Sequence, residues 1–279
     1  MSDGVLITAA INGAEITRAQ TPALPITPDE VGAEALRCRD AGAAMVHLHG
    51  RRDDGTPTQD AATFRRYFAA IRERSDIIVQ FSTGGAIGMS VAERIDALRL
   101  RPEMATLTTG TCNFGDEVFS NPMWAIREIA AGLRAHDIRP EIEVFDLGML
   151  DTAIRLHREG VIEGALHVDF VFGVSGAMDA DASHLRYLVS RLPEGWSWCV
   201  AAIGRHELVM ARHALEMGGH VRVGLEDNIF LRRGQLAAGS YELVAEVARM
   251  AAETGRRPLS VVEARALLGV SEVRYPVEI

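Results

Sequence analysis

The chain has little of what marks the specialised classes of protein. Its 279 residues include three cysteines, Cys38, Cys112 and Cys199, far apart and with no Cys-x-x-Cys pair. An odd, scattered set argues against a disulfide framework and for free thiols in a reducing compartment. The formal net charge is −9, from 29 basic and 38 acidic residues, and no long basic run occurs. A nucleic-acid footprint and a polybasic membrane patch are therefore not expected. No apolar stretch is long enough to span a bilayer. The start, Met1-Ser2-Asp3-Gly4, lacks a basic segment followed by an apolar one. No signal peptide is expected, and the expected location is the cytoplasm. No Gly-x-Gly-x-x-Gly follows the first apolar run and no Gly-x-x-x-x-Gly-Lys loop appears; Gly84-Gly85-x-x-Gly88 is too loose to count as either. What is present is an ordinary globular composition, 48% hydrophobic and 24% charged, with ample material for a large core.

Short apolar runs alternate with longer amphipathic segments along the whole chain. Strands are expected at 5–10, 45–50, 77–81, 104–108, 141–145, 166–172, 197–203 and 221–225. The first helix starts at Thr27-Pro28-Asp29-Glu30, where an N-cap Thr, a Pro at the first helical position and two acids coincide, and it closes on Gly42. Further helices are expected at 61–74, 90–98, 121–136, 148–159, 182–191, 205–217 and 240–252, with a short one at 260–268. Eight β/α units in a chain of this length favour a closed (β/α)8 TIM barrel over an open parallel sheet. Residues 1–279 are read as a single barrel domain with a short C-terminal extension, Arg274 to Ile279.

In such a barrel, chemistry collects at the C-terminal strand ends. His47 and His49 stand there on the second strand, two residues apart and so on one face. Alone, the pair is either half of a transition-metal site or two strand-end histidines bonded to loop carbonyls. Glu226, at the end of the eighth strand, is placed to complete a two-histidine, one-glutamate set. Arg222 lies on the same face as Glu226, and Glu143 on the fifth strand is a partner for it across the barrel. Asp227, at the same rim, is a base candidate beside a Lewis acid. His167 and Asp169 share a face but sit too early in their strand to rank with these. His206-Glu207 fails as a His-Glu-x-x-His helix, because Met210 stands where the second His should.

Several stretches resemble the β-keto acid cleavage enzymes. They are Ile7-Thr8-Ala9-Ala10-Ile11-Asn12-Gly13-Ala14-Glu15, His47-Leu48-His49, Gly55-Thr56-Pro57-Thr58-Gln59-Asp60 and Ser82-Thr83-Gly84-Gly85. Pro102-Glu103-Met104-Ala105-Thr106-Leu107, Asn113-Phe114-Gly115 and Gly219-His220-Val221-Arg222-Val223-Gly224-Leu225-Glu226-Asp227-Asn228 complete the set. The resemblance covers nearly the whole chain, in order, and is strongest to members that act on an amino-substituted keto acid.

The resemblance implies a zinc-dependent TIM barrel, usually oligomeric, with a tetramer expected. It implies acetyl-CoA as co-substrate and conversion of a β-keto acid to acetoacetate and a new acyl-CoA. It puts the zinc on His47, His49 and Glu226, and the acid–base set on Asp227, Arg222 and Glu143. Ser82, Gly85 and Thr106 would contact the substrate carboxylate, and Glu15 would receive a cationic tail, either a primary amine or the quaternary ammonium of dehydrocarnitine. The departure is Gly50, in place of a larger apolar residue, which either widens the pocket or relieves packing. Two other readings stay open on the residues alone: a CoA-independent metal-assisted aldolase or hydrolase, and a non-catalytic small-molecule sensor.

Overall fold

Apolar runs bounded by turn residues become the strands of a closed barrel. The computed structural model describes residues 3–272, so the 274–279 extension lies outside the described residues. Eight parallel strands form the ring: β1 Ile7–Ala10, β2 Met45–Leu48, β3 Ile78–Phe81 and β4 Met104–Thr108, then β5 Arg139–Val144, β6 His167–Phe172, β7 Ser197–Ala202 and β8 His220–Val223. Sequence neighbours pair in space, and β8 pairs with β1 at Val221–Ile7, Arg222–Thr8 and Val223–Ala9. Each strand is covered on both faces, by the barrel interior and by helices, which is why the runs read as continuous and not alternating.

The helices are α1 Pro28–Ala41, α2 Ala61–Arg72, α3 Val91–Ile95, α4 Met123–Ala135 and α5 Leu147–Arg158, then α6 Ala182–Arg191, α7 Glu207–Glu216, α8 Ser240–Glu253 and α9 Val261–Leu268. The start of α1 has the expected capping box: Thr27 accepts from the Glu30 N–H and Glu30 accepts from the Thr27 N–H. Gly42, at φ 119°, ends that helix.

Among the boundaries that differ from expectation, four change the local structure. Gly4–Val5 leaves the barrel and pairs with Arg257–Pro258, so β1 begins only at Ile7. Beyond β2, Gly50–Arg51 turns out to pair antiparallel with Pro57–Thr58. A Cβ at Gly50 would lie 2.3 Å from the Thr58 carbonyl oxygen and 2.8 Å from the Phe64 ring. Gly50 therefore relieves packing outside the pocket and does not widen it. The helix expected at 90–98 is α3 followed by a 3-10 turn, Asp96–Leu100. The helix expected from 205 begins at Glu207, after a 3-10 turn over Gly204–His206.

The N-terminal end of the barrel is closed by α9, whose Val261, Ala264 and Leu268 pack on Leu6, Ala44, Met45, Ile78 and Met104. A buried carboxylate ties this closure together. Glu103 pairs with Arg72 and accepts from Arg265 at 2.6 and 3.1 Å and from the Val79 N–H at 2.8 Å. Removing it strands buried guanidinium charge. Glu103→Ala is expected to cost about 3–5 kcal/mol in urea unfolding; a loss below about 1 kcal/mol would show the clamp to be peripheral.

Candidate active site

The alternation of β2 aims His47 into the barrel mouth, with His49 one pleat above. Their Nε2 atoms lie 3.6 and 3.4 Å from the same Glu226 oxygen. The three donor atoms all fall within 4.8 Å of one another. His47 and Gln80 are register partners on β2 and β3, and the His47 Nδ1–H donates to Gln80 Oε1 at 2.7 Å. That aims Nε2 at Glu226, the orientation that outer partners impose on metal-binding imidazoles. Among the described residues, His47 Nε2 and the second Glu226 oxygen are buried without a hydrogen-bond partner. Orphaned polar atoms of this kind are costly unless something fills the space between them. A divalent cation fits the donor set and satisfies both. Burial alone would raise the Glu226 carboxyl, but Arg222, His47 and His49 hold it well below the usual carboxylate range, so it stays an anion.

Arg222, on β8, is the hub of the mouth and only 5% exposed. Its Nε and Nη2 donate to the two Asp227 oxygens at 2.9 and 3.1 Å, and Nη2 also donates to Glu226 at 2.6 Å. Its Nη1 lies 3.5 Å from both Glu143 and Asp169. The expected Arg222–Glu143 meeting across the barrel is thus present, and Asp169 joins it. Burial raises the Asp227 carboxyl above its ordinary value, with Arg222 pulling against that rise and Glu226 adding to it. Glu143 is fixed from the other side by the Thr108 hydroxyl, which donates to it at 2.6 Å.

These groups open into a cavity of about 520 Å³ that Glu15, Ser82 and Gly85 also line. Its outer wall is apolar, formed by Ile87, Phe114, Phe119, Phe145, Val174 and Ile203. Gly85 takes φ +65°, a conformation that suits glycine. Thr106 lies below the floor, where its hydroxyl accepts from the Thr83 N–H at 3.1 Å. It thereby shapes the Ser82–Gly85 turn from beneath.

Several supporting residues escaped the sequence reading. Asn12 is fully buried and exchanges two hydrogen bonds with the His49 backbone, at 2.8 and 2.9 Å. Glu207, seen only as part of a failed zinc motif, accepts from the Gly224 N–H at 2.8 Å and from Asn228 at 3.0 Å, and so anchors the turn that carries Glu226 and Asp227. Asp146, two residues beyond the end of β5, is the N-cap of α5. A turn-anchoring acid, and an N-cap with no Pro or acid in the turn that follows it, look like any other loop polar in a linear sequence.

A parallel barrel that gathers imidazoles, carboxylates and a buried guanidinium at its C-terminal mouth is an enzyme's architecture. Residues 4–270 match the family described as beta-keto acid cleavage enzyme. Over 274 residues the chain is 48% identical to the 3-keto-5-aminohexanoate cleavage enzyme of Fusobacterium nucleatum subsp. nucleatum, spanning 98% of this chain and 100% of that protein. It is 43% identical to the 3-oxoadipate:acetyl-CoA acetyltransferase of Cupriavidus necator, over 97% of this chain and 96% of that one. The solved apo structure of ObcA shares the fold at a TM-score of 0.81 and 21% identity, over 91% of this chain and 66% of that chain. The chain belongs to the β-keto acid cleavage enzyme family, and it is an enzyme of that class.

Below the mouth lies a second buried group. Glu141, His167 and Cys199 bring donor atoms within 4.8 Å of one another, with His167 Nε2 3.7 Å from Glu141. Burial, reinforced by Asp169, pushes the Glu141 carboxyl up to about 8. Between its ordinary value of 4.5 and about 8, the folded chain holds this proton while the unfolded chain releases it. That site's contribution therefore makes stability fall as pH rises through the window. Glu141→Gln is expected to be stabilising at pH 8.5 and nearly neutral at pH 4.5, read as the difference in melting temperature from the parent. An equal difference at both pH values would refute the buried proton.

Proposed function

We propose that this enzyme converts a β-keto acid carrying an amine, such as 3-keto-5-aminohexanoate, together with acetyl-CoA into acetoacetate and a new acyl-CoA. The observation that carries the reading is the convergence of His49, Glu226, Arg222 and Asp227 on one cavity, with His47 buried behind Glu226, and a carboxylate, Glu15, at the cavity's exposed rim. The names of the two relatives supply the reaction class and the acetyl-CoA. The chain contains no lysine, since all 29 basic residues are arginine. A Schiff-base aldolase that uses a lysine amine is therefore closed to it.

Zinc is the cation proposed for His47, His49 and Glu226. When bound there, it supplies Lewis-acid polarisation of the substrate's keto group. Asp227 takes a proton from C2 of the keto acid, and Arg222 keeps that carboxylate oriented. The resulting carbanion attacks the acetyl thioester carbonyl, a C–C bond forms, and the C–S bond breaks to release CoA thiolate. The thiolate then attacks the original ketone. The C2–C3 bond breaks, giving the new acyl-CoA and the acetoacetate carbanion. Asp227 returns its proton to that carbanion, so the protons balance. Ser82 and the Gly85 backbone line the side where the substrate carboxylate is proposed to sit, with Thr106 acting through the turn above it. Glu143 shares Arg222 with Asp227 and steadies its charge.

The cation-reading role belongs to Glu15. An anion at the rim of a largely apolar pocket favours an ammonium tail over an uncharged one. A homo-oligomer, the tetramer that the family resemblance implies, belongs to the same reading; Val118 and Trp124, exposed at 53% and 63%, supply apolar surface near the mouth for such a contact.

Metal-loaded protein with 3-keto-5-aminohexanoate and acetyl-CoA is expected to yield acetoacetate, and none without acetyl-CoA. His47→Ala and Glu226→Ala should each lower bound metal, whereas Asp227→Asn should keep the metal and lose about 10²–10⁴ in kcat. Unchanged metal content in both ligand variants would remove the site as drawn. Glu15→Gln is expected to raise KM for the ammonium substrate about tenfold, the worth of one modest charge pairing. A similar rise with an uncharged β-keto acid would show that Glu15 does not read charge.

A further inference from the structure

We infer that Arg51 is the positioning residue that sets the enzyme's preference for a charged substrate, by fixing the backbone on either side of Glu15. The inference rests on the reading of Glu15 as the cation-binding acid. Arg51 follows β2 and is almost fully buried, at 3% exposure. Its guanidinium reaches under the loop after β1 and makes five hydrogen bonds to backbone carbonyls. Nε donates to Asn12 and Gly13 at 3.2 and 2.9 Å, Nη2 to Asn12 and Ile16 at 3.1 and 2.7 Å, and Nη1 to Gly55 at 2.8 Å. A planar, five-donor fork suits such a task, because one rigid group can hold several carbonyls in fixed relation.

The carbonyls it holds are not arbitrary. Gly13 and Ile16 bracket Glu15, so the loop that presents the rim carboxylate is pinned at both ends by one side chain. The segment has no regular secondary structure to hold it otherwise. Gly13, at φ +47°, is also packed so closely that a Cβ there would lie 2.7 Å from the Glu226 Cγ. The bond to Gly55 braces the guanidinium within its own hairpin, so the loop after β1 is held against a fixed group. A buried guanidinium bonded only weakly would be a liability, and burial does lower its affinity for its proton. Spending that charge on uncharged carbonyls makes sense where the geometry of a loop matters.

The arrangement leads to a specific result. An acid on a loose loop still attracts a cation but does not hold it in one place. Loosening the loop therefore costs affinity for the ammonium substrate and leaves the chemistry at Asp227 in position. Arg51→Met should raise KM for 3-keto-5-aminohexanoate about tenfold, while kcat falls much less and bound metal is retained. KM for an uncharged β-keto acid should move by less than about threefold. Hydrogen exchange should accelerate in residues 12–18 and stay slow in the barrel strands. Arg51→Lys, the milder variant, keeps the charge but not the fork and should lie between Arg51→Met and the parent. Guanidinium added to Arg51→Ala should recover part of the preference; added to Glu15→Gln it should recover none.

Two results would overturn the inference, and they differ. If Glu15→Gln loses the preference and Arg51→Met or Arg51→Lys keeps it, Arg51 has no part in selectivity. If Glu15→Gln keeps the preference, the reading of Glu15 fails and the selectivity role of Arg51 falls with it.

Discussion

The Arg222 guanidinium reaches four carboxylates, those of Glu226, Asp227, Glu143 and Asp169, from a position that is almost closed to water. Without it, these acids would repel one another in a low-dielectric interior and at least some would take up protons. Its effect is unequal. Glu226 is held well below its usual range by Arg222 and two imidazoles, whereas Asp227 is raised by burial despite the same guanidinium. Two adjacent carboxyls are therefore driven apart in proton affinity. Such a split suits the two tasks proposed for them, one acid to bind a cation and its neighbour to exchange a proton. The mouth of the barrel depends on this one charge being where it is.

The barrel interior changes character along its axis. At the N-terminal end Leu6, Met45, Ile78 and Met104 pack under α9 as an ordinary apolar core. The next layer is polar: Glu141, His167 and Cys199 are buried together there. The proton that burial and Asp169 keep on Glu141 makes this layer tolerable, because a neutral carboxyl facing an imidazole costs far less than an anion there. His167 is driven the other way, well below its usual range, by burial and by His220. The layer is therefore neutral, and the negative charge is confined to the mouth, where Arg222 and a bound cation can meet it.

The eight-fold alternation was legible because a parallel barrel buries both faces of each strand and so writes uninterrupted apolar runs. The α1 start was legible because Thr27, Pro28 and Glu30 each serve the cap in a way that depends only on local sequence. His47, His49, Arg222, Glu226 and Asp227 stood out because charged and ligating groups at strand ends are conspicuous against that background. Asp169, Thr108, Gln80, Asn12 and Glu207 did not. Their roles exist only through partners brought close by closure of the ring, as with Thr108 and Glu143, 35 positions apart in sequence. The departure of Gly50–Arg51 from the barrel was hidden for the same reason: its cause is the distant carbonyl of Thr58.

Glu226 stands on the far side of β1 from the imidazoles it faces, and small residues make that reach feasible. Ala10 is the register partner of His47, so the strand between β8 and β2 presents only a methyl group at the level of the site. Gly224 passes so close to β1 that a Cβ there would lie 2.1 Å from the Ala10 carbonyl oxygen. Immediately beyond it, the Glu226 N–H donates to that same carbonyl at 3.1 Å. The close approach folds the end of β8 over β1, and the hydrogen bond holds it there. Ala10 and Gly224 carry no chemistry, yet a larger side chain at either would separate the carboxylate from His47 and His49. The geometry of the His47, His49 and Glu226 cluster is thus set as much by what β1 and β8 lack as by the three side chains themselves.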